Sequence, residues 1–394
     1  MSVGTRTRGA KIFTIFSYGF RPFFLLSGIF AALAVAIWIP EFYGDIAIRT
    51  AFSPIAWHAH EMLYGYLSAA MVGFLLTAIP NWTGRLPVQG RALTVLAGLW
   101  VLGRLVVSVS QLTGWLAAMV VDCSFLLIVL GVIAREIIAG KNLKNFKVAA
   151  LVAVVLIGNV VFHMEARNYG SIENGMRIGI AGMILLVMVI GGRIIPSFTQ
   201  NWLARQPAGR MPVAFNRFDV AIIAVSAIAL LCWIIFPDNI ATGEVLAAAG
   251  VLHFLRLARW AGDRTWSDRL VLILHVAYLF VPIGFWLLAA SILFGIPRSA
   301  AIHAWTIGTM ASLTLAVMTR ATLGHTGRPL QANFGTQIVY GAVVTAAISR
   351  VGASLFTSQS DVLLQLSALV WIVAFATFVI VYGPMLVRPK VSAK

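Results

Sequence analysis

Apolar stretches long enough to cross a bilayer recur twelve times along this chain, and no other feature constrains its fold as strongly. They lie near 22–39, 57–79, 92–112, 115–138, 148–166, 176–195, 218–236, 242–260, 270–294, 299–319, 335–356 and 361–387. Each is close to the roughly 20 residues that a helix needs to span the hydrocarbon layer. In lipid the backbone N–H and C=O groups must be satisfied internally, so runs of this length read as helices. The 394 residues are 60% hydrophobic and 11% charged, too little polar surface to meet water on every side. The expected fold is an all-α integral membrane protein of about twelve transmembrane helices. The connections are too short to hold a soluble domain. Residues 1–394 therefore read as a single polytopic membrane domain, with any chemistry inside the bundle.

A formal net charge of +16 would point to nucleic acid in a water-soluble chain. Here the basic residues gather in alternate short loops, so the partner they report is the lipid bilayer. With the N-terminus inside, the inner segments run from Arg6, Arg8, Lys11 and Arg21 to Arg388, Lys390 and Lys394, while the outer ones hold only Arg49, Arg167, Arg177, Arg298 and Arg350. That asymmetry predicts both termini on the cytoplasmic side. The basic start resembles a signal peptide, but its apolar run ends at Trp38-Ile39-Pro40 without a small-residue cleavage site and reads as a retained helix. Cys123 and Cys232 lie inside apolar runs, which leaves no disulfide framework and no CxxC motif.

The second, sixth and tenth helices end alike, at Ile79-Pro80-Asn81-Trp82-Thr83-Gly84-Arg85, Ile195-Pro196-Ser197-Phe198-Thr199 and Gly324-His325-Thr326-Gly327-Arg328-Pro329. A period of four helices suggests three four-helix units in a pseudo-threefold array. It also supplies a register, since His60 lies 23 residues before Thr83 and His303 lies 23 residues before Thr326. Equivalent histidines near the outer ends of two helices suit the axial positions of one haem. Interfacial capping histidines are the alternative.

In Trp57-His58-Ala59-His60-Glu61-Met62, two residues of helix turn His58 and His60 to nearly opposite faces. His58 is then free to serve a neighbouring site, for instance with His163 on the fifth helix. Toward the inner face, His253 and His275 lie at one depth on sequential helices and His325 follows in the next inner loop; three imidazoles can bind copper or zinc. Hydrogen-bonded structural histidines explain each of these equally well. Arg104 and Asp122 lie at comparable depth and form a candidate ion pair. Arg104, Arg177 or Arg49 could instead meet a haem propionate. Glu61 is a candidate proton carrier or a partner that orients a ligand histidine. Gly175-x-x-x-Gly179 and Gly191-Gly192 read as close helix packing.

The chain resembles the NnrS family at Trp57-His58-Ala59-His60-Glu61-Met62, at Ala78-Ile79-Pro80-Asn81-Trp82-Thr83-Gly84 and at Met318-Thr319-Arg320-Ala321-Thr322-Leu323-Gly324-His325-Thr326-Gly327-Arg328-Pro329-Leu330. Leu252-His253 with Arg256-Leu257, and Leu274-His275, extend the likeness over essentially the whole chain. The resemblance implies a haem- and copper-containing inner-membrane protein of denitrification and the nitric-oxide response. A b-type haem on His60 and His303, and copper on a subset of His58, His163, His253, His275 and His325, are the expectations that follow. A more distant likeness links the chain to the main subunit of haem–copper oxidases and nitric-oxide reductases, which carries low-spin haem histidines on helices 2 and 10. This chain has no histidine on helices 6 and 7, where that superfamily supplies copper ligands, so an oxidase-type binuclear centre is not expected. Two functions compete: protection against nitric oxide by binding or redox turnover with a membrane electron donor, and carriage of haem, copper or an iron–nitrosyl species.

Overall fold

The structure is a computed structural model and describes residues 13–391. The basic positions Arg6, Arg8, Lys11 and Lys394 lie outside the described residues. Twelve helices are long and apolar enough to span a membrane: α1 Phe20–Tyr43, α2 Pro54–Thr83, α3 Arg91–Ser108, α4 Trp115–Ala139, α5 Leu143–Tyr169, α6 Glu173–Leu203, α7 Arg217–Ile235, α8 Ile240–Ala258, α9 Arg269–Leu293, α10 Arg298–His325, α11 Phe334–Leu355 and α12 Thr357–Val387. No strand occurs among the described residues. This is an all-α multi-pass membrane protein.

Local chemistry sets the helix starts. Ser53 caps α2 through its Oγ, 3.3 Å from Ala56 N, and Pro54 takes the first position, where an N–H has no partner to lose. Asn216 and Asp219 form a reciprocal capping box on α7. Asn239, Asp268 and Asn333 cap α8, α9 and α11. α6 and α10 run further inward than their apolar stretches predict, because Ser197, Phe198, Thr199 and Arg320 continue the helix as polar or aromatic residues.

One apolar core draws buried residues from all twelve helices. The central position belongs to α2, α6 and α10, whose most apolar windows are 83%, 67% and 72% buried, against 33–61% for the other nine. Residues such as Leu127 on α4, Ile228 on α7 and Ile380 on α12 present apolar side chains outward, as lipid requires. The three central helices share one register. Thr83, Thr199 and Thr326 each turn the hydroxyl back to the carbonyl four residues earlier, at 2.9, 2.8 and 2.6 Å. Counting back 16 residues from each gives Leu67, Met183 and Met310, and counting back nine gives Phe74, Ile190 and Val317; all six line one cavity on the axis between the helices. The period of four helices is thus visible as a threefold set of equivalent positions.

α2 and α10 share a second feature that the sequence did not announce. The turns after His60 and His303 are π-helical, over Glu61–Leu67 and Ala304–Ala311. Such a segment inserts an extra residue into the i to i−4 ladder and re-aims the side chains around it, and it recurs at functional sites. Close packing elsewhere follows the glycines: a Cβ on Gly175 of α6 would meet the backbone of Phe162 on α5.

Candidate functional site

Two histidine sites lie back to back on α2. The first is a closed polar cluster. His60, Glu61, Arg104, Asp122, Asn159 and His163 come from α2, α3, α4 and α5, and all are buried. His60 Nδ1 lies 3.1 Å from Glu61 Oε1; its Nε2 lies 3.2 Å from Asp122 Oδ2 and 3.0 Å from Asn159 Oδ1. His163 Nε2 lies 3.2 Å from the same Asp122 oxygen. Arg104 bridges the carboxylates, donating from Nη1 to Glu61 Oε2 at 2.7 Å and from Nη2 to Asp122 Oδ1. Asn159 Nδ2 donates to Asp122 Oδ2 at 2.7 Å. One donor atom from each of His60, Asp122 and His163 lies within 4.8 Å of the other two.

The donor and acceptor inventory of this cluster does not close by itself. His60 faces oxygen acceptors at both ring nitrogens, yet a neutral imidazole carries one N–H. Two carboxylates share the space with one guanidinium, which leaves one negative charge uncompensated inside the membrane if both imidazoles are neutral. A bound cation answers both deficits, as a second proton on His60 also would. With the Nδ1 hydrogen given to Glu61, the Nε2 lone pair of His60 turns toward Asp122 and His163, the carboxylate–histidine arrangement that orients metal ligands. The residues present fit a metal ion.

The second site is a cavity of about 460 Å³ on the opposite face of α2, between α1, α2, α6, α10, α11 and α12. His58 and His303 both line it, together with Trp38, Tyr66, Ser299 and Arg350. His303 donates Nδ1–H to the Ser299 carbonyl at 2.7 Å, which leaves its Nε2 as the unprotonated nitrogen. His58 stacks on Trp38 with centroids 4.0 Å apart, and its buried Nδ1 has no hydrogen-bond partner. Arg350 donates to Ser354 Oγ at 2.8 Å and forms no ion pair among the described residues. Two imidazoles, a guanidinium without a carboxylate and apolar walls fit a flat, largely apolar ligand that carries acidic groups, as haem does.

The expected partners are redistributed. His60 and His303 hold equivalent register positions, but their side chains enter different sites. His58 joins His303, and His163 joins His60, because two residues of helix place His58 and His60 on opposite faces. Arg104 commits both Nη groups to carboxylates and forms the ion pair with Asp122. Arg177 pairs with Glu173 one turn away and does not line the cavity. Arg49 is likewise absent from the cavity wall.

The inner histidines have separate partners. His253 lies 2.8 Å from Ser226 Oγ through Nε2 and 3.0 Å from Tyr278 OH through Nδ1. Tyr278 OH also accepts from Arg256, which donates to Asp219 at 2.7 Å. His275 Nε2 lies 2.8 Å from Thr199 Oγ1, and His325 packs on Tyr18 and Phe20. The three do not gather into one ligand set among the described residues.

Two contributors went unnoticed in the sequence. Arg350 was counted with the outer loops although it falls within an apolar run, the criterion that singled out Arg104. Asn159 is neutral and carries no comparable signal.

Fold and site together define a multi-pass helical membrane protein with ligand-capable histidines on both faces of a central helix. The chain belongs to the NnrS family, whose model, described as NnrS protein, matches residues 14–390. Comparison with curated proteins gave no match. Membership supports, in general terms, a membrane protein of the nitric-oxide response with metal or haem involvement.

Proposed function

We propose that this chain is a haem- and copper-binding protein of the bacterial inner membrane, with both termini cytoplasmic, that protects against nitric oxide by binding it or by redox turnover. The outer cavity carries the reading: His58 and His303 reach it from two central helices, and Arg350 stands in its wall without a carboxylate. A b-type haem in this cavity would be held by His58 and His303 and would supply a redox-active iron; nitric oxide would bind it by displacing one of the two imidazoles. The protein's own contribution is to prepare the ligands. The Ser299 carbonyl holds the His303 tautomer, Trp38 fixes the plane of His58, and Arg350 offers its charge to a propionate.

The His60–Asp122–His163 set offers two imidazole nitrogens and one carboxylate oxygen, donors that copper accepts. Glu61 takes the Nδ1 hydrogen of His60, and Arg104 holds both carboxylates in place. The two sites are joined through the turn of α2 that carries His58 and His60, a short link for electrons arriving from a membrane donor.

Purified protein is expected to show a low-spin haem spectrum that is lost in His303→Ala, and about one copper per chain that is lost in His163→Ala. A preparation without haem, or a haem spectrum unchanged in His303→Ala, overturns the assignment. A second reading, a carrier of haem, copper or iron–nitrosyl species, draws on the cavities stacked along the axis of α2, α6 and α10. It predicts cofactor that co-purifies at variable, substoichiometric levels.

A further inference from the structure

The register shared by α2, α6 and α10 continues past the apolar centre into a second axial cavity of about 560 Å³ near their inner ends. Six residues before Thr83, Thr199 and Thr326 stand Thr77, Arg193 and Arg320, and all three line it. One residue before the same threonines stand Trp82, Phe198 and His325, which line it too. The chain has therefore placed two guanidiniums and a hydroxyl at one level around the pseudo-threefold axis. The amides of Asn81 and Asn201 border the same space, and the lining contains no aspartate or glutamate.

Neither arginine makes an ion pair within 4.0 Å among the described residues, although the Asp268 carboxylate acts on Arg320 from a longer range. Arg320 lies over the Phe198 ring, its guanidinium carbon 4.3 Å from the centroid, and Arg193 lies 5.6 Å from the centroid of Phe215 with a 3.4 Å contact to Asn145 Oδ1. No carboxylate among the described residues pairs with either one. Aromatic faces hold the cationic planes and leave most of their N–H donors unspent. Toward the centre the axis is lined by the apolar ring of Phe74, Ile190 and Val317 and, beyond it, by Leu67, Met183 and Met310. A charge that enters from the inner side therefore meets guanidinium donors and then an apolar barrier where it would lose its solvation.

We propose that this inner vestibule is a binding site for a small inorganic oxyanion, held on the axis by Arg193 and Arg320. The paired N–H donors of guanidinium match the geometry of such anions. A phospholipid headgroup shares that chemistry, and the test separates the two sources. The proposal is independent of the haem and copper assignment, since none of His58, His303, His60, Asp122 and His163 lines this cavity.

Isothermal titration of inorganic nitrate into the detergent-purified full chain is the test, with co-purified lipid identified by mass spectrometry. Saturable binding at one site per chain is expected, weakened about tenfold or more in Arg193→Gln and in Arg320→Gln. It is expected to be retained in Arg205→Gln, which removes the same charge from an exposed position on the same face. Arg320→Lys keeps the charge and should restore part of the affinity. Absence of saturable binding, or equal binding in all variants, overturns the proposal. So does an anionic phospholipid that co-purifies with the wild type, is lost from Arg320→Gln and is not displaced by nitrate.

Discussion

The two faces of α2 bury histidine in opposite ways. On one face His60 sits in a space with no slack, where each polar neighbour touches another and the pattern lacks one positive charge. On the other, His58 borders an open cavity with an unpartnered nitrogen and little charge beyond Arg350. On the proposed reading the closed site takes an ion, because its deficit is electrostatic. On the same reading the open one takes a large ligand, because it offers volume and an unpartnered imidazole nitrogen. Two residues of helical rotation separate them, so a single turn of sequence serves both.

That contrast can be broken by substitution. The largest effect is expected from His303→Ala, which should abolish the haem absorbance while copper content stays unchanged. Asp122→Ala should act on the other face: it strips the closed cluster of a ligand and leaves Arg104 with one partner, at a cost of about 3–5 kcal/mol. Thermal unfolding in detergent and metal analysis would register both losses. Arg350→Ala, by contrast, removes a charge that has no ion-pair partner, so haem affinity should fall with little change in melting temperature. Gly65→Ala is a steric probe. Its Cβ would come within 2.8 Å of Glu61 Oε2 and 2.9 Å of Arg104 Nη1, and the strain should cost about 1–3 kcal/mol with a matching drop in copper occupancy. The smallest effect on cofactor content belongs to Ser226→Ala beside His253, which loses the bonds of that hydroxyl to the Ile222 carbonyl and to His253 Nε2 and should cost about 1–3 kcal/mol of stability. Metal content should not move; copper lost from that variant would return the inner histidines to the ligand set.

The fold was legible because lipid imposes one demand repeatedly, and the twelve apolar runs answer it. The terminal Thr83, Thr199 and Thr326 also carried the register of the central helices, since each packs at the same level of one axis. Partner choice was not legible. Helical periodicity separates His58 from His60, but which face meets His303 depends on how α2 and α10 are rotated in the bundle. The π-helical turns after His60 and His303 left no mark in the pattern of apolar residues, because they arise from a slip of backbone hydrogen bonds. The ends of α6 and α10 were cut short for a related reason: hydropathy falls at Ser197, Thr199 and Asn201 and at Arg320, although the helix continues.

The paired haem spectra and copper contents of His58→Ala and His60→Ala test the central claim most directly. The account predicts a crossed result, with His58→Ala losing haem and keeping copper, and His60→Ala keeping haem and losing copper. Haem lost from His60→Ala but retained in His58→Ala would contradict it, because the two faces of α2 would then have been assigned the wrong ligands.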